Sequence, residues 1–64
     1  MQEHEQRVVD ERNELAEKHR KLGQFLEGDI YADLPYEDRK LLTIQHSIMG
    51  AYAETLNARI GRFK

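Results

Sequence analysis

Two apolar heptad repeats, one in each half of the chain, leave few folds open to this sequence. Val8, Leu15 and Leu22 recur every seven residues in the first half. A matching series in the second half comprises Leu42, Met49, Leu56 and Phe63. Residues seven apart lie on one face of an α-helix, and such an apolar face is stable only when it packs against another surface. The repeats therefore predict two helices that lie side by side.

The predicted fold is all-α, with one antiparallel two-helix hairpin as a single domain over residues 1–64. The first helix is expected over about residues 2–27, which contain no proline and consist mostly of good helix formers. The second is expected over about residues 35–61, because proline followed by acidic residues is typical of a helix start. Its expected apolar face comprises Leu41, Leu42, Ile48, Met49, Tyr52, Leu56, Ile60 and Phe63.

The segment between the helices, residues 28–34, is predicted to be a turn without secondary structure of its own. Gly28 is expected to cap the first helix. Ile30, Tyr31 and Leu34 are expected to fill the open end of the hairpin.

A chain of 64 residues is too short to bury much of its surface alone. Disulfides cannot compensate because the sequence contains no cysteine. We therefore expect the hairpin to form a homo-oligomer. No long nucleic acid is expected as a partner, because the net charge is −2 and the signs are interspersed. No apolar run is long enough for a membrane span and the first residues do not resemble a signal peptide, so a cytoplasmic location is expected.

A second set of heptad positions is polar. We call these residues the polar seam: Glu11, Lys18, Gln45, Tyr52 and Arg59. In an antiparallel pair of helices, Glu11 is expected beside Tyr52, and Lys18 beside Gln45. Three interpretations are open: the side chains flank a narrow apolar contact and stay hydrated, they form a network that fixes the register of helices or subunits, or they bind a polar ligand.

Catalytic and metal-binding motifs are not predicted. His4, His19 and His46 lack the spacing of a metal site. The glycines are scattered singly, so they form no phosphate-binding loop. The chain is therefore expected not to be an enzyme and to hold no metal or cofactor. Gly50 has two open interpretations, the close approach of another helix or the tolerance of an exposed glycine.

One pattern extends over nearly the whole chain: Arg7, Val8, Glu11, Leu15, Lys18, Lys21, Leu22, Phe25, Leu34, Leu41, Leu42, Gln45, Met49, Tyr52, Leu56, Arg59 and Ile60. It resembles a widespread family of very small bacteriophage proteins of unknown function, with a relative in crAss-like phages. Helical periodicity alone does not require the spacing of Gln45, Met49 and Tyr52, which gives the resemblance part of its specificity. Pro35 departs from the family pattern, which has serine or a similar N-cap there.

Residues 34–56 are also similar to the hairpin of phage anti-CBASS sponge proteins. Those proteins are small helical subunits that assemble into oligomers and sequester the cyclic nucleotide signals of bacterial immunity. The resemblance implies a homo-oligomer that binds a cyclic oligonucleotide in the cytoplasm of an infected bacterial cell. The ligand contacts of that family cannot be transferred position by position, so a site is argued from chemistry alone.

A cyclic nucleotide requires cations or amides for its phosphates and aromatic faces for its bases. Such residues lie near the expected turn, and we call them the tip cluster: Lys21, Tyr31, Tyr36, Arg39 and Lys40. The alternative interpretation is that the two tyrosines cap the core while the basic side chains remain hydrated.

Two other functions are open. The hairpin could be a protein-binding module that inhibits a bacterial host protein, or a structural assembly factor of the phage. An oligomer with aromatic and basic side chains around enclosed pockets favours the sponge, whereas a large exposed apolar face favours protein binding.

Overall fold

The computed structural model describes residues 2–63 and contains three helices. Helix α1 comprises Glu3–Leu26, α2 comprises Asp29–Asp33, and α3 comprises Tyr36–Gly61. No strand occurs in this part of the chain. The prediction of an all-α protein is confirmed.

The end of α1 differs from the prediction. Glu27 is the C-cap, in a right-handed helical conformation with φ −91° and ψ −4°. Gly28 is extended, with φ −94° and ψ 169°, and precedes the first residue of α2. The expectation that Gly28 caps α1 was therefore wrong, because the chain leaves the helix without a left-handed residue.

The segment predicted to be a turn without secondary structure contains a short helix, α2, so this prediction was wrong. The backbone N–H of Ala32 donates to the Gly28 carbonyl at 3.3 Å, and that of Leu34 donates to the Tyr31 carbonyl at 3.1 Å. The helix ends at once because Leu34, with ψ 151°, precedes Pro35, and a proline disfavours the helical conformation in the residue before it.

Helices α1 and α3 lie side by side and run in opposite directions. Their contacts fall in reverse order along the chain: Arg12 donates to Asn57 at 2.7 Å, and His19 stacks on His46. The chain forms a rod with Cα extents of 46 × 14 × 13 Å. The buried apolar side chains in this rod are Val8, 8% exposed, and Leu56, 0% exposed.

The apolar face predicted for the second helix is divided between two surfaces. Leu42, Met49 and Leu56 are half-buried or buried, whereas Leu41 and Ile48 are 61% and 63% exposed. A helix turns about 100° per residue, so a neighbour in sequence can point away from the packed side. The expectation that Leu41 and Ile48 pack against the first helix was wrong.

One of the three residues expected to fill the open end of the hairpin does not do so. Ile30 is 69% exposed on α2. Tyr31 and Leu34 are half-buried. Because α2 is a helix rather than an extended turn, it directs only one side of the segment toward the core.

Candidate functional site

Tyr36 and Arg39 form the exposed centre of the tip cluster. Both lie in the first turn of α3, three residues apart, where side chains on a helix are neighbours. The Arg39 guanidinium carbon lies 5.9 Å from the centroid of the Tyr36 ring. Tyr36 is exposed and Arg39 is half-buried. The pair presents an aromatic surface and a positive charge at one place on the surface.

The Arg39 side chain is half-buried beside Tyr36. Its Nε atom is buried and has no hydrogen-bond partner among the described residues. A buried donor without an acceptor carries a desolvation cost, so such groups are usually paired in folded proteins. Arg39 therefore keeps one unused donor beside the Tyr36 ring.

Tyr31 belongs to the packing of the tip. Its ring meets Phe25 edge to face, with centroids 6.4 Å apart. Its hydroxyl lies 2.9 Å from Thr43 Oγ1 and 3.5 Å from the Arg39 carbonyl. Because its ring and its hydroxyl both have partners within the chain, Tyr31 supports α2 against α3.

Lys21 and Lys40 are both exposed. Lys21 Nζ lies 4.0 Å from Glu17 on the same helix. Lys40 follows Arg39 directly on α3. No contact described for residues 2–63 joins Lys21 to the aromatic members of the tip cluster. The structure therefore places Arg39 in contact with both tyrosines, through its guanidinium with Tyr36 and through its carbonyl with Tyr31, and no described contact joins the two lysines to them.

The polar seam is connected across the helices at one place. The Tyr52 hydroxyl donates to the Glu11 carboxylate. Gln45 instead lies 3.9 Å from the sulfur of Met49 on its own helix, and Lys18 and Arg59 are exposed. The Glu11–Tyr52 pair thus joins α1 to α3, and the described contacts do not extend it into a network.

Alkaline titration should detect the Glu11–Tyr52 pair. The hydrogen bond to Glu11 raises the pKa of Tyr52 above its usual value of 10.0, and desolvation and the Glu11 charge act in the same direction. The folded state thus favours the protonated phenol. The stabilisation is present below pH 10.0 and is lost as the pH rises through the raised pKa.

We expect Glu11→Gln to lower the pKa of Tyr52, as measured by ultraviolet phenolate absorbance against a Tyr52→Phe reference. The unfolding temperature of the wild type should fall more steeply above pH 10.0 than that of Tyr52→Phe. Equal slopes would show that the pair does not persist in solution.

A stacked histidine pair between α1 and α3 was not predicted. The rings of His19 and His46 have centroids 4.1 Å apart and planes 17° apart. A Cβ atom added to Gly50 would lie 3.1 Å from His19 Nε2, and one added to Gly23 would lie 3.1 Å from His46 Nε2. Each imidazole therefore occupies space left by a glycine on the opposite helix.

The sequence contains a signal for this pair. Both helices carry histidine followed four residues later by glycine, at His19 and Gly23 and again at His46 and Gly50. In an antiparallel pair of helices, two such units place each histidine opposite the glycine of the other. Gly50 thus accommodates a close approach, as one interpretation of the sequence held, although the approaching group is a side chain rather than a helix backbone.

Residues 2–63 enclose no cavity, and they contain no group of three or more His, Cys, Asp or Glu residues placed to hold a metal ion. Within the same residues, no helix combines the length and the apolar character needed to cross a membrane.

Comparison with known proteins gives one match. A family model described as Sequestin matches residues 2–62, which is nearly the whole chain. No curated protein and no solved structure gives a significant match. The family match agrees with the resemblance to small sequestering proteins, whereas the link to crAss-like phages stays a prediction.

Proposed function

Because the chain belongs to the Sequestin family, we propose that it binds a cyclic oligonucleotide and sequesters it within a homo-oligomer, without changing it chemically. The family name suggests a sequestering role. The sequence resemblance to phage sponge proteins supplies the class of ligand. In this proposal the protein acts in the cytoplasm of an infected bacterium and withholds an immune signal from its receptor.

The exposed Tyr36–Arg39 pair is the structural feature that supports this ligand class. A nucleotide base can stack on the accessible face of a tyrosine ring, and such stacking contributes about 1–3 kcal/mol per base. A guanidinium can bind two phosphate oxygens at once. Tyr36 and Arg39 lie 5.9 Å apart by ring centroid and guanidinium carbon, so one nucleotide can contact both.

Lys40 and Lys21 complete the proposed site as mobile cations. Both side chains are exposed, and Lys21 would have to leave Glu17, which lies 4.0 Å away on the same helix, to reach a phosphate. Their contribution is long-range attraction, which salt screens, whereas Arg39 contributes directional hydrogen bonds. Tyr31 positions the start of α3 through its hydroxyl contacts with Thr43 and the Arg39 carbonyl.

The shape of the chain supports assembly as part of this function. The rod is long and narrow, at 46 × 14 × 13 Å between Cα atoms. A ligand held on one surface of such a rod stays open to solvent on its other side. A second copy placed over the tip cluster would enclose the ligand and slow its release.

Thermal unfolding against a panel of cyclic di- and trinucleotides tests the proposal. A ligand that binds only the folded state raises its stability by about 2.7 kcal/mol at a concentration of 100 times Kd. We expect one member of the panel to raise the unfolding temperature and a mononucleotide with the same base to have little effect. The nucleotide recovered from the heated sample should be chemically intact.

Variants of the tip cluster locate the site. Arg39→Ala with Lys40→Ala should remove the ligand-induced shift and leave the unfolding temperature without ligand nearly unchanged. Tyr36→Ala should weaken binding by about 5- to 150-fold, which corresponds to one lost stacking contact of 1–3 kcal/mol. A control with the same change of charge is Arg7→Ala with Arg20→Ala, since both arginines form exposed ion pairs on α1.

The outcomes separate the proposed function from its main alternative. An equal loss of ligand response in the control variant would show only general attraction of an anion. No response to any member of the panel would overturn the cyclic oligonucleotide proposal and favour a protein target in the host. In that case a pull-down from host lysate becomes the next experiment.

A further inference from the structure

An apolar strip on α3 is exposed to solvent beside the contact with α1. Its large side chains are Leu41, Ile44, Ile48 and Tyr52, and we call these four residues the outer stripe. They are 61%, 44%, 63% and 44% exposed. Their spacing of three or four residues keeps them on one side of the helix over about 17 Å.

Two hydroxyl groups on and beside the outer stripe have partners within the chain. The Tyr52 hydroxyl donates to Glu11, and the Thr55 hydroxyl donates to the Ala51 carbonyl at 3.0 Å. Covering a polar group is costly when it loses water and gains nothing. The outer stripe can therefore be covered by another apolar surface without leaving these hydroxyls unsatisfied.

The same face of α3 has opposite charges at its two ends. Glu37 lies one turn before Leu41, and Arg59 lies one turn after Thr55. Each is eleven residues from Ile48. If a second copy of α3 packs antiparallel with Ile48 on the two-fold axis, Glu37 faces Arg59 at both ends of the interface. A parallel arrangement would place like charges together.

The antiparallel register also matches the apolar residues. Ile48 meets its own copy, Ile44 meets Tyr52, and Leu41 meets Thr55, because the members of each pair are equally distant from Ile48. An isologous interface needs this self-complementarity, since each contact occurs twice.

The chain as a whole exposes more area than a compact monomer of its mass. The solvent-accessible area is 5059 Å², whereas a compact monomer of 7.6 kDa is expected to expose about 4,300 Å². The excess, about 760 Å², is close to the roughly 800 Å² that each partner buries in a stable interface.

We infer that the outer stripe is the interface of a two-fold symmetric dimer, in which two α3 helices pack antiparallel about Ile48 and Glu37 of each copy pairs with Arg59 of the other. In this dimer the tip cluster of one copy lies beside the C-terminal end of α3 in the second copy. The two tip clusters therefore occupy opposite ends of the dimer. This inference does not depend on the identity of the ligand.

Mass by light scattering in the absence of ligand tests the interface. The wild type should have a mass of an even number of chains of 7.6 kDa. Ile48→Asp should reduce that mass at least by half, because it places two carboxylates on the axis. Ile30→Asp is the matched control, because Ile30 is equally exposed and lies on α2. A monomeric or trimeric wild type, or an unchanged mass for Ile48→Asp, would overturn the inference.

Exchanging the terminal charges tests the register. Glu37→Arg and Arg59→Glu should each weaken association, and the double variant should restore it. Within one chain these residues are about 33 Å apart along α3, so restoration requires contact between copies. The exchange also places both charges unfavourably for the helix dipole. A recovered mass in the double variant therefore cannot come from a more stable helix, and circular dichroism will verify this. A double variant that associates as weakly as the single variants would refute the antiparallel register.

A cysteine on the axis gives an independent test, since the chain contains no cysteine of its own. Ile48→Cys should form a disulfide-linked dimer on mild oxidation, because a disulfide requires Cα atoms within about 7 Å. Leu41→Cys is the control on the same stripe, because its two copies would be about 21 Å apart along the antiparallel helices. Equal cross-linking of the two variants would contradict the inferred register.

Discussion

Leu56→Asp is expected to abolish folding. Leu56 is 0% exposed, so the variant would place an unpaired carboxylate where water is excluded and remove the main apolar contact between α1 and α3. The combined cost should exceed about 4 kcal/mol, the range reached by cavity formation and buried charge. Small domains have total stabilities near the lower end of about 5–15 kcal/mol. We therefore expect a largely unfolded chain at room temperature.

Far-ultraviolet circular dichroism, recorded with increasing temperature, measures this loss directly. Ile30→Asp is the control, because it introduces the same group at a position that is 69% exposed. It should retain the helical spectrum and change stability by no more than about 0.5 kcal/mol, as is usual for surface substitutions. A helical Leu56→Asp variant with the unfolding temperature of the wild type would show that Leu56 is not the centre of the helix contact.

The heptad repeats predict which residues hold α1 and α3 together. They do not predict which of the neighbouring apolar residues face solvent. Val8 and Leu56 belong to the two repeats and are the buried side chains of the described chain. Leu41 and Ile48 are equally apolar, and composition gives no reason to place them outside. Their exposure depends on how far α3 is rotated about its axis, which is decided by the bulk of the groups packed between the helices.

The two stacked histidines explain part of that rotation. Their rings separate α1 from α3 at the level of Gly23 and Gly50. A sequence pattern that treats histidine as polar assigns these positions to the solvated side. Imidazole is flat and amphipathic, so it can pack where its partner position is glycine.

The part of the tip cluster that depends on spacing along a single helix could be predicted from the sequence. Tyr36 and Arg39 are three residues apart on one helix, and the structure places them in contact. The position of Tyr31 depends instead on α2, which forms between Gly28 and Leu34 and directs the Tyr31 hydroxyl to Thr43, twelve residues away. Propensity over five residues is too weak to predict such a helix, because short helices gain most of their stability from tertiary packing.

Replacing both Gly23 and Gly50 with alanine is expected to lower the unfolding temperature, although alanine is the better helix former. In an exposed helix interior each replacement would stabilise by about 1 kcal/mol. Here each new Cβ would lie 3.1 Å from an imidazole nitrogen, and each imidazole is stacked on the other. Overpacking costs about 1–3 kcal/mol per site. Set against the gain in helix propensity, this leaves a net loss of about 0–4 kcal/mol over the two sites, and we expect the unfolding temperature to fall by roughly 4–8 °C for each kcal/mol lost in a chain of this size.

Gly61→Ala is the control for helix propensity. Gly61 lies at the end of α3, and a Cβ added there would meet no other atom within 4 Å. This variant should be neutral or slightly more stable than the wild type. If the double glycine variant were also more stable, the close packing of the two imidazoles against the opposite helices would be refuted.

A double-mutant cycle between His19 and Gly50 separates the steric effect from the propensity effect. His19→Ala alone should destabilise, because it removes the stacked ring and leaves a gap. Gly50→Ala should then stabilise the His19→Ala variant by about 1 kcal/mol, since the added Cβ no longer meets an imidazole and only helix propensity remains. The same substitution destabilises in the presence of His19. We therefore expect a coupling energy of about 1–3 kcal/mol, within the range for residues in contact.

The sign change is the decisive feature of this cycle. A general loss of helix stability would make Gly50→Ala act in the same direction whether or not His19 is present. Only direct contact between the imidazole and position 50 reverses the effect. Because Gly23 and His46 form the same arrangement on the opposite helices, the cycle between His46 and Gly23 should show the same reversal. Two reversals of similar size would show that both imidazoles pack against the glycines of the opposite helix and separate α1 from α3 at this level.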